Sequence, residues 1–334
     1  MIGEKIKIYV TREVSSILDK DAESFEFFKP NGSLNRNAFL TRLVIYYADR
    51  FHQKQRETIQ YLIDTLKKEG LKDDARLVSL AAGISERLTG VGQAVAAGRV
   101  DHIVSIKPTR QSLPIIKYIE ERCLLGTSLS EHFRNMLSSY ASLPQDKREE
   151  IIFSPEFTVL SQAIKDKKQV FLTLRNTNVK TISVSPYCIT RSKEELHLYL
   201  LATSGGGCSP LRLSRILSVT PLQEPAVFAE EQIAVFEKML AYGPQFIYRA
   251  GEGEAVVELT PAGVVKFKKM YVHRPIPNKI EGNRYYFSCS HSQLLQYFVR
   301  FGVDAYIVAP LRLRLDLLYF YKHAVSFYQS RKES

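Results

Sequence analysis

The pattern that most restricts this chain is an internal repeat. Ile6, Ile8 and Val10 alternate with Lys5, Lys7 and Tyr9, and a period of two over six residues marks a half-buried strand. Thr11-Arg12-Glu13 follows as a helix cap, and Val14, Ile17, Leu18, Ala22 and Phe25 then recur at helical spacing. Pro30-Asn31-Gly32 breaks that helix, and Ser33 opens a second one with an apolar stripe of Ala38, Phe39, Leu43, Tyr46, Tyr47 and Phe51. The same order returns at an offset of 98 residues. His102-Ile103-Val104-Ser105-Ile106 reads as a strand, and Lys107-Pro108-Thr109-Arg110 echoes Tyr9-Val10-Thr11-Arg12. A helical run through Ile115, Ile116 and Ile119 is interrupted at Gly126, and residues 128–137 read as a second helix of the same kind. One such unit cannot bury its strand alone, so two copies in one chain are expected to pair internally.

Strand, helix, turn and helix within about 50 residues resembles the ribbon-helix-helix family, with most of the resemblance in Ser33-Leu34-Asn35-Arg36-Asn37-Ala38-Phe39-Leu40-Thr41-Arg42-Leu43. A ribbon of that kind can lie in the DNA major groove, here with Lys5, Lys7 and Tyr9 aimed at base edges. Two features weigh against it. Residues 1–164 hold 23 basic and 21 acidic side chains, too nearly neutral to attract phosphate strongly, and the second strand presents the dissimilar set Ile103, Ser105 and Lys107. Dimerisation or protein docking is the other use of such a ribbon.

The whole chain has 46 Lys and Arg against 35 Asp and Glu, a formal net charge of +11. Residues 165–215 hold 9 basic against 3 acidic, residues 216–263 hold 2 against 7, and residues 264–334 hold 12 against 4. A polyanionic partner is therefore expected in the second half, although a solvated surface also carries such charge. No apolar run approaches the 18–20 residues of a membrane span, and MIGEKIKIYV has no apolar core of a secretory signal. Cys123, Cys188, Cys208 and Cys289 lie far apart without CxxC spacing, which argues against a zinc finger or a disulfide framework and for a reducing cytoplasm.

From about residue 149 the character changes. Residues 169–174, 181–185, 196–202 and 211–213 read as closely spaced strands, the pattern of a small barrel. Pro186-Tyr187, then Leu198-Tyr199-Leu200-Leu201-Ala202, then Arg212-Leu213-Ser214-Arg215-Ile216 is similar to the WYL domain, an SH3-like β-barrel whose name-giving tripeptide reads Leu198-Tyr199-Leu200 here. The resemblance implies that Arg212, Arg215 and Tyr199 line a groove for nucleic acid or a nucleotide-like ligand. Tyr199 equally fits a core aromatic of the barrel. Arg175, Arg191 and Lys193 sit in neighbouring strands or loops, and guanidinium groups suit phosphate oxygens.

Residues 225–334 alternate strands and helices, and Phe301-Gly302 before a strand ending in Pro310-Leu311-Arg312 is similar to the extension that follows many WYL domains. Bases and rings interleave here: Lys266-Phe267-Lys268-Lys269-Met270-Tyr271, Arg274, Arg284-Tyr285-Tyr286-Phe287, Arg312, Arg314 and Tyr319-Phe320-Tyr321-Lys322. Single-stranded nucleic acid needs cations for phosphates and rings for unstacked bases. The rings near the end of the chain equally suit a core or a homodimer face.

The expected organisation is α+β and multidomain: 1–52 ribbon-helix-helix, 53–100 helical spacer, 101–148 a second such segment, 149–224 the WYL domain, and 225–334 an extension suited to dimerisation. Motifs for phosphate loops, dinucleotide binding, nucleophile elbows and zinc proteases are absent. Ser204-Gly205-Gly206-Gly207-Cys208 reads as a hairpin loop, and adjacent acids such as Glu194-Glu195 diverge instead of forming a two-carboxylate site. No catalysis, metal or cofactor is expected. The combination resembles the WYL accessory proteins of type VI-D CRISPR systems, which implies a homodimer that binds single-stranded RNA and stimulates an RNA-guided ribonuclease in antiviral defence. The alternative is a DNA-binding transcription regulator with a ligand-sensing WYL domain.

Overall fold

Strand β1 (Ile6–Val10) pairs antiparallel with β2 (His102–Ile106), and Lys7 lies opposite Ser105. That cross-pair is the point an offset of 98 predicts for the centre of a two-fold ribbon. Burial repeats at the same offset: half-buried Ile6 and Val104, buried Ile8 and Ile106, buried Val10 and Pro108. The outward face carries Lys7, Tyr9, Ile103 and Ser105. This computed structural model describes residues 4–71, 74–88, 100–124, 128–175, 180–249 and 251–331. The expected break at Gly126 and the end of the 53–100 spacer lie outside them. The chain divides into two compact units, Met1–Pro155 and Glu156–Ser334.

In the first unit, β1 leads into α1 (Arg12–Ser24), capped by the Thr11 hydroxyl, which accepts from the Val14 N–H at 3.3 Å. The helix ends before Pro30-Asn31-Gly32, at a left-handed Glu26 (φ 62°). The tripeptide instead turns a small hairpin in which Phe28 bridges Leu34. Helix α2 (Arg36–Lys68) is capped by Asn35, not Ser33, whose hydroxyl bonds Asn31. It runs unbroken past residue 52, so it takes in the first part of the expected 53–100 spacer, and it stops beside Gly70 at φ 90°. Helices α3 (Asp74–Leu88), α4 (Leu113–Arg122), α5 (Leu129–Ala141) and α6 (Gln145–Ile152) complete the unit.

The two copies interlock, because each second helix is fastened to the other copy's strand. Ser130 Oγ and Arg134 Nε of α5 donate to the carbonyls of Lys7 and Tyr9 at 2.9 and 2.8 Å. The Asn37 amide of α2 accepts from the Lys107 N–H at 2.8 Å and donates back to its carbonyl at 3.2 Å. Rings of Phe27, Phe39, Tyr47 and Tyr140 meet edge-on between the copies, and Phe153 lies tilted against Phe27.

Beside that core, His52 of α2 and His132 of α5 meet Nε2 to Nε2 at 2.8 Å, both buried. Burial, with the neighbouring His52 second, pulls His132 from its ordinary 6.5 down to about 4. Burial also lowers His52, with Asp49 opposing and Arg56 assisting. Neutral imidazole is thus favoured in the folded state. The stabilisation is complete above pH 6.5, the unfolded value, and is lost as pH falls towards about 4. The urea midpoint of the protein is expected to drop over that window, by up to about 3 kcal/mol of stability. His132→Gln should flatten the drop, and an unchanged profile would rule the pair out as its source.

In the second unit, α7 (Ser154–Lys165) precedes a five-stranded antiparallel sheet. Its strands are β3 (Lys168–Leu174), β4 (Lys180–Arg191), β5 (Leu198–Ser204), β6 (Gly207–Arg212) and β7 (Ile216–Pro225), in the order β6-β5-β4-β3-β7. This corrects the expected barrel: the sheet stays open, with β6 and β7 as its two edges. The physical cause is β4. Its first half pairs with β3 and its second half with β5, and a register shift between Pro186 and Cys188 separates them. Gly205 and Gly206, at φ 57° and 84°, turn the β5–β6 hairpin as expected. Helix α8 (Glu230–Tyr242) seats Phe236 and Met239 against Leu201 and Tyr248, and Tyr187 stacks on Phe236 at 4.5 Å.

A second antiparallel sheet has the order β11-β8-β10-β9, from β8 (Ala255–Leu259), β9 (Lys279–Glu281), β10 (Arg284–Phe287) and β11 (Ala305–Ala309). Helices α9 (Pro261–Lys269), α10 (His291–Phe298) and α11 (Leu311–Ser330) accompany it, and Phe267, Phe287, Tyr297, Phe298 and Phe301 form its core. Helix α9 presses on the turn before β11, where Asp304 accepts from the Thr260 N–H at 3.1 Å. A Cβ on Gly263 would stand 2.2 Å from that same Asp304 carbonyl oxygen. Glycine to alanine inside a helix ordinarily adds about 0.5–1 kcal/mol. Here the clash with backbone should reverse the sign, so Gly263→Ala is expected to cost about 1–3 kcal/mol in urea unfolding. A stabilised variant would contradict this close approach.

Candidate nucleic-acid interface

One end of the five-stranded sheet gathers six of the residues singled out in the sequence. Tyr199 on β5 lies in register with Arg212, the last residue of β6, and with Thr190 on β4. After Arg212 the chain folds into a 3₁₀ turn, Leu213–Arg215, so Arg212 and Arg215 do not share a strand. Arg215 is exposed on that turn while Arg212 is half-buried. The Arg175 N–H donates to the Arg215 carbonyl at 2.8 Å, which brings the end of β3 alongside. Arg191 closes β4, and Lys193 stands exposed in the turn that follows.

Tyr199 itself is 6% exposed, and its hydroxyl donates to the Glu195 carboxylate. Burial first, and then that hydrogen bond, push its pKa well above the ordinary phenol range, with Arg212 and Arg215 pulling the other way. It is a neutral phenol, packed in the sheet and aimed at Glu195. Tyr199 therefore ties the strand beside Arg212 to the turn that carries Glu195.

The turn also holds Glu194, and the two adjacent acids do diverge. While Glu195 faces Tyr199, Glu194 Oε2 lies 2.5 Å from His273 Nδ1 and accepts from the Gln245 amide at 3.3 Å. This contact joins the cationic end of the sheet to the segment after α9. Glu194 and His273 are 79 residues apart, and nothing local in the sequence marks the pair. Arg300 was likewise invisible; its guanidinium donates to the Val272 carbonyl at 3.2 Å and lies 5.2 Å from the Tyr297 ring.

The C-terminal cations separate into two groups. Lys268 and Lys269 in the last turn of α9, and Arg312 in the first turn of α11, are exposed. Arg284 pairs with Glu258 at 3.1 Å, and the Lys266 ammonium sits 5.2 Å from the Phe301 ring centre. Arg314 donates to the carbonyls of Ile307, at 2.7 Å, and Val308, and lies over Tyr306 at 4.9 Å. It binds β11 to α11. In the first unit, Lys5, Lys7 and Tyr9 are exposed, as are Ile103, Ser105 and Lys107.

Among the described residues no cluster of three or more His, Cys, Asp or Glu could hold a metal ion. No helix among them is long and apolar enough to cross a membrane. What the sheet end and the adjoining loop can do is meet an anion with several guanidinium and ammonium groups.

No protein-family model matches the chain, and no curated protein matches it. Among solved structures, one described as the crystal structure of a CRISPR Cas-related protein aligns over 99% of this chain and 95% of its own, at 19% identity and a TM-score of 0.63. The fold is shared end to end. Proteasome accessory factor B/C of Arthrobacter aurescens aligns over 69% of this chain and 39% of its own, at 16% identity and a TM-score of 0.25.

Proposed function

We propose that this chain is a non-catalytic accessory protein of a CRISPR-associated system, and that it binds single-stranded RNA and stimulates an RNA-guided, RNA-cleaving effector of type VI-D. The first unit is then a tandem ribbon-helix-helix, and the second a WYL domain with its C-terminal extension. The observation that carries the reading is the fold likeness to a CRISPR Cas-related protein over 99% of the chain. Arg175, Arg191, Lys193, Arg212 and Arg215 at one end of a sheet, joined to the basic segment after α9, favour a phosphate-bearing partner. The reading includes a homodimer in the cytoplasm. Leu311, Leu315, Tyr319 and Tyr328 of α11 are exposed, and a second copy would cover them.

Titration of the purified protein at two salt concentrations tests the reading, with single-stranded RNA, single-stranded DNA and duplex DNA of equal length. Preference for single-stranded RNA, weakened steeply by salt, is the expected result. The exposed Lys7 and Tyr9 on a two-stranded ribbon favour the second reading, a DNA-binding regulator. Tight duplex binding lost on joint replacement of Lys5, Lys7 and Tyr9 would select it and discard the first.

A further inference from the structure

The segment after α9 holds a ring in the open on a rigid mount. Tyr271 is 71% exposed and Val272 63%, yet the backbone around them is tied down on every side. The Tyr297 hydroxyl donates to the Met270 carbonyl at 2.8 Å, Arg300 to the Val272 carbonyl at 3.2 Å, and the Gln293 amide to the His273 carbonyl at 3.4 Å. His273 is in turn held by Glu194 at 2.5 Å. An exposed aromatic on a fixed backbone loses little conformational freedom when a partner lands on it.

The surroundings of the ring are cationic. The Arg274 guanidinium lies 4.9 Å from the Tyr271 ring centre and 5.8 Å from that of the buried Phe267, between the two rings. One face of Tyr271 is thereby backed by the half-buried Arg274 guanidinium, and its exposure leaves the other to solvent. Lys268, Lys269 and Arg300 are exposed beside it. The C-terminal dipole of α9 ends here and repels anions with about half a charge. Arg274 reaches the Lys268 carbonyl within 3.5 Å, and four full positive charges outweigh that partial one together with the Glu194 carboxylate on His273.

We propose that Tyr271 is a stacking platform for one unpaired base, and that Lys268, Lys269, Arg274 and Arg300 meet the phosphates on either side of it. This rests on the single-stranded RNA reading above and names a subsite for it. A ring backed by guanidinium takes any base by its face, so the subsite contributes affinity without sequence preference. The contact between His273 and Glu194 places it next to the Arg191–Lys193 turn, and a strand can run from one to the other.

Fluorescence anisotropy with a labelled single-stranded RNA tests it, using wild type, Tyr271→Ala and Tyr271→Phe. Loss of about 5- to 100-fold in affinity is expected for the alanine variant, and near-complete recovery for phenylalanine. The slope of affinity against salt should stay the same, because no charge is removed. An oligomer with abasic sites should bind wild type and Tyr271→Ala alike. If wild type binds RNA and Tyr271→Ala binds it equally well, the platform is wrong while the RNA reading stands. A change of oligomeric state in that variant with RNA affinity intact would overturn the platform too and give the ring to a protein contact. If wild type binds no single-stranded RNA, both fall together. Equal urea midpoints for the three proteins would show that the ring's exposure makes its removal harmless to the fold.

Discussion

Replacing Asp21 with alanine is expected to destabilise the Met1–Pro155 unit by about 3–5 kcal/mol. Asp21 is 2% exposed on α1, and both its oxygens face Arg148 of α6, Nε at 2.6 Å and Nη2 at 3.0 Å. The Tyr140 hydroxyl of α5 adds a third hydrogen bond at 2.9 Å, and the remaining guanidinium nitrogen, Nη1, donates to the Leu143 carbonyl. Burial, then the Asp21 charge, hold the Tyr140 phenol well above its ordinary pKa, so it is a donor at any working pH. Deleting the carboxylate leaves a buried guanidinium uncompensated, and the desolvation cost is no longer offset. Asp21→Asn keeps an acceptor and should lose less. Tyr140→Phe removes one hydrogen bond and should cost about 0.5–1.5 kcal/mol. Urea unfolding orders the three variants; an Asp21→Ala loss below that of Tyr140→Phe would refute the assignment.

That network ties α1 of the first copy to α5 of the second and to α6, and it was hidden in the sequence. Helical spacing marked Val14, Ile17, Leu18, Ala22 and Phe25 as an inner face; four of the five are buried and Ile17 is half-buried. Asp21 lies among them and reads as a surface charge until its partner, 127 residues away, is known. The ribbon was legible because its period of two is local and is repeated at offset 98, and pairing plus burial follow from that repeat. The end of α1 was not, since a left-handed Glu26 has no more sequence signal than any glutamate. The barrel failed for a similar reason. Alternation reveals strands but does not say whether edges meet, and β7 (Ile216–Pro225) supplies one edge of an open sheet where no strand was expected.

The candidate site divides along the same line. Charge segregation pointed to the second half of the chain, and residue types pointed to arginines. Which arginines face outward depends on where the backbone goes. Arg314 was indistinguishable from Arg312 by sequence, but one serves two carbonyls of β11 and the other is exposed. The tie between Glu194 and His273 decides which basic segment adjoins the sheet end, and only the folded chain displays it.

Joint replacement of Arg212 and Arg215 by serine is expected to lower affinity for single-stranded RNA by about 10- to 100-fold near 0.1 M salt, as loss of two charge-assisted contacts implies. It should also lower the magnitude of the slope of log affinity against log salt by about 1.4, since each phosphate neutralised on a single strand contributes about 0.7. The slope discriminates better than the affinity. A variant that merely loosened the fold would weaken binding at every salt concentration and leave the slope alone. Arg284→Ser is the comparison within the same unit: it lies on the other sheet, paired with Glu258 at 3.1 Å, and its removal should change the slope by much less. Tyr199→Phe should leave the slope untouched and cost affinity only by freeing Glu195 in the turn beside the arginines. An unchanged slope for the double variant would move the phosphate contacts away from this end of the sheet. Lys268 and Lys269 at the end of α9, with Arg274 and Arg300, would then have to carry them.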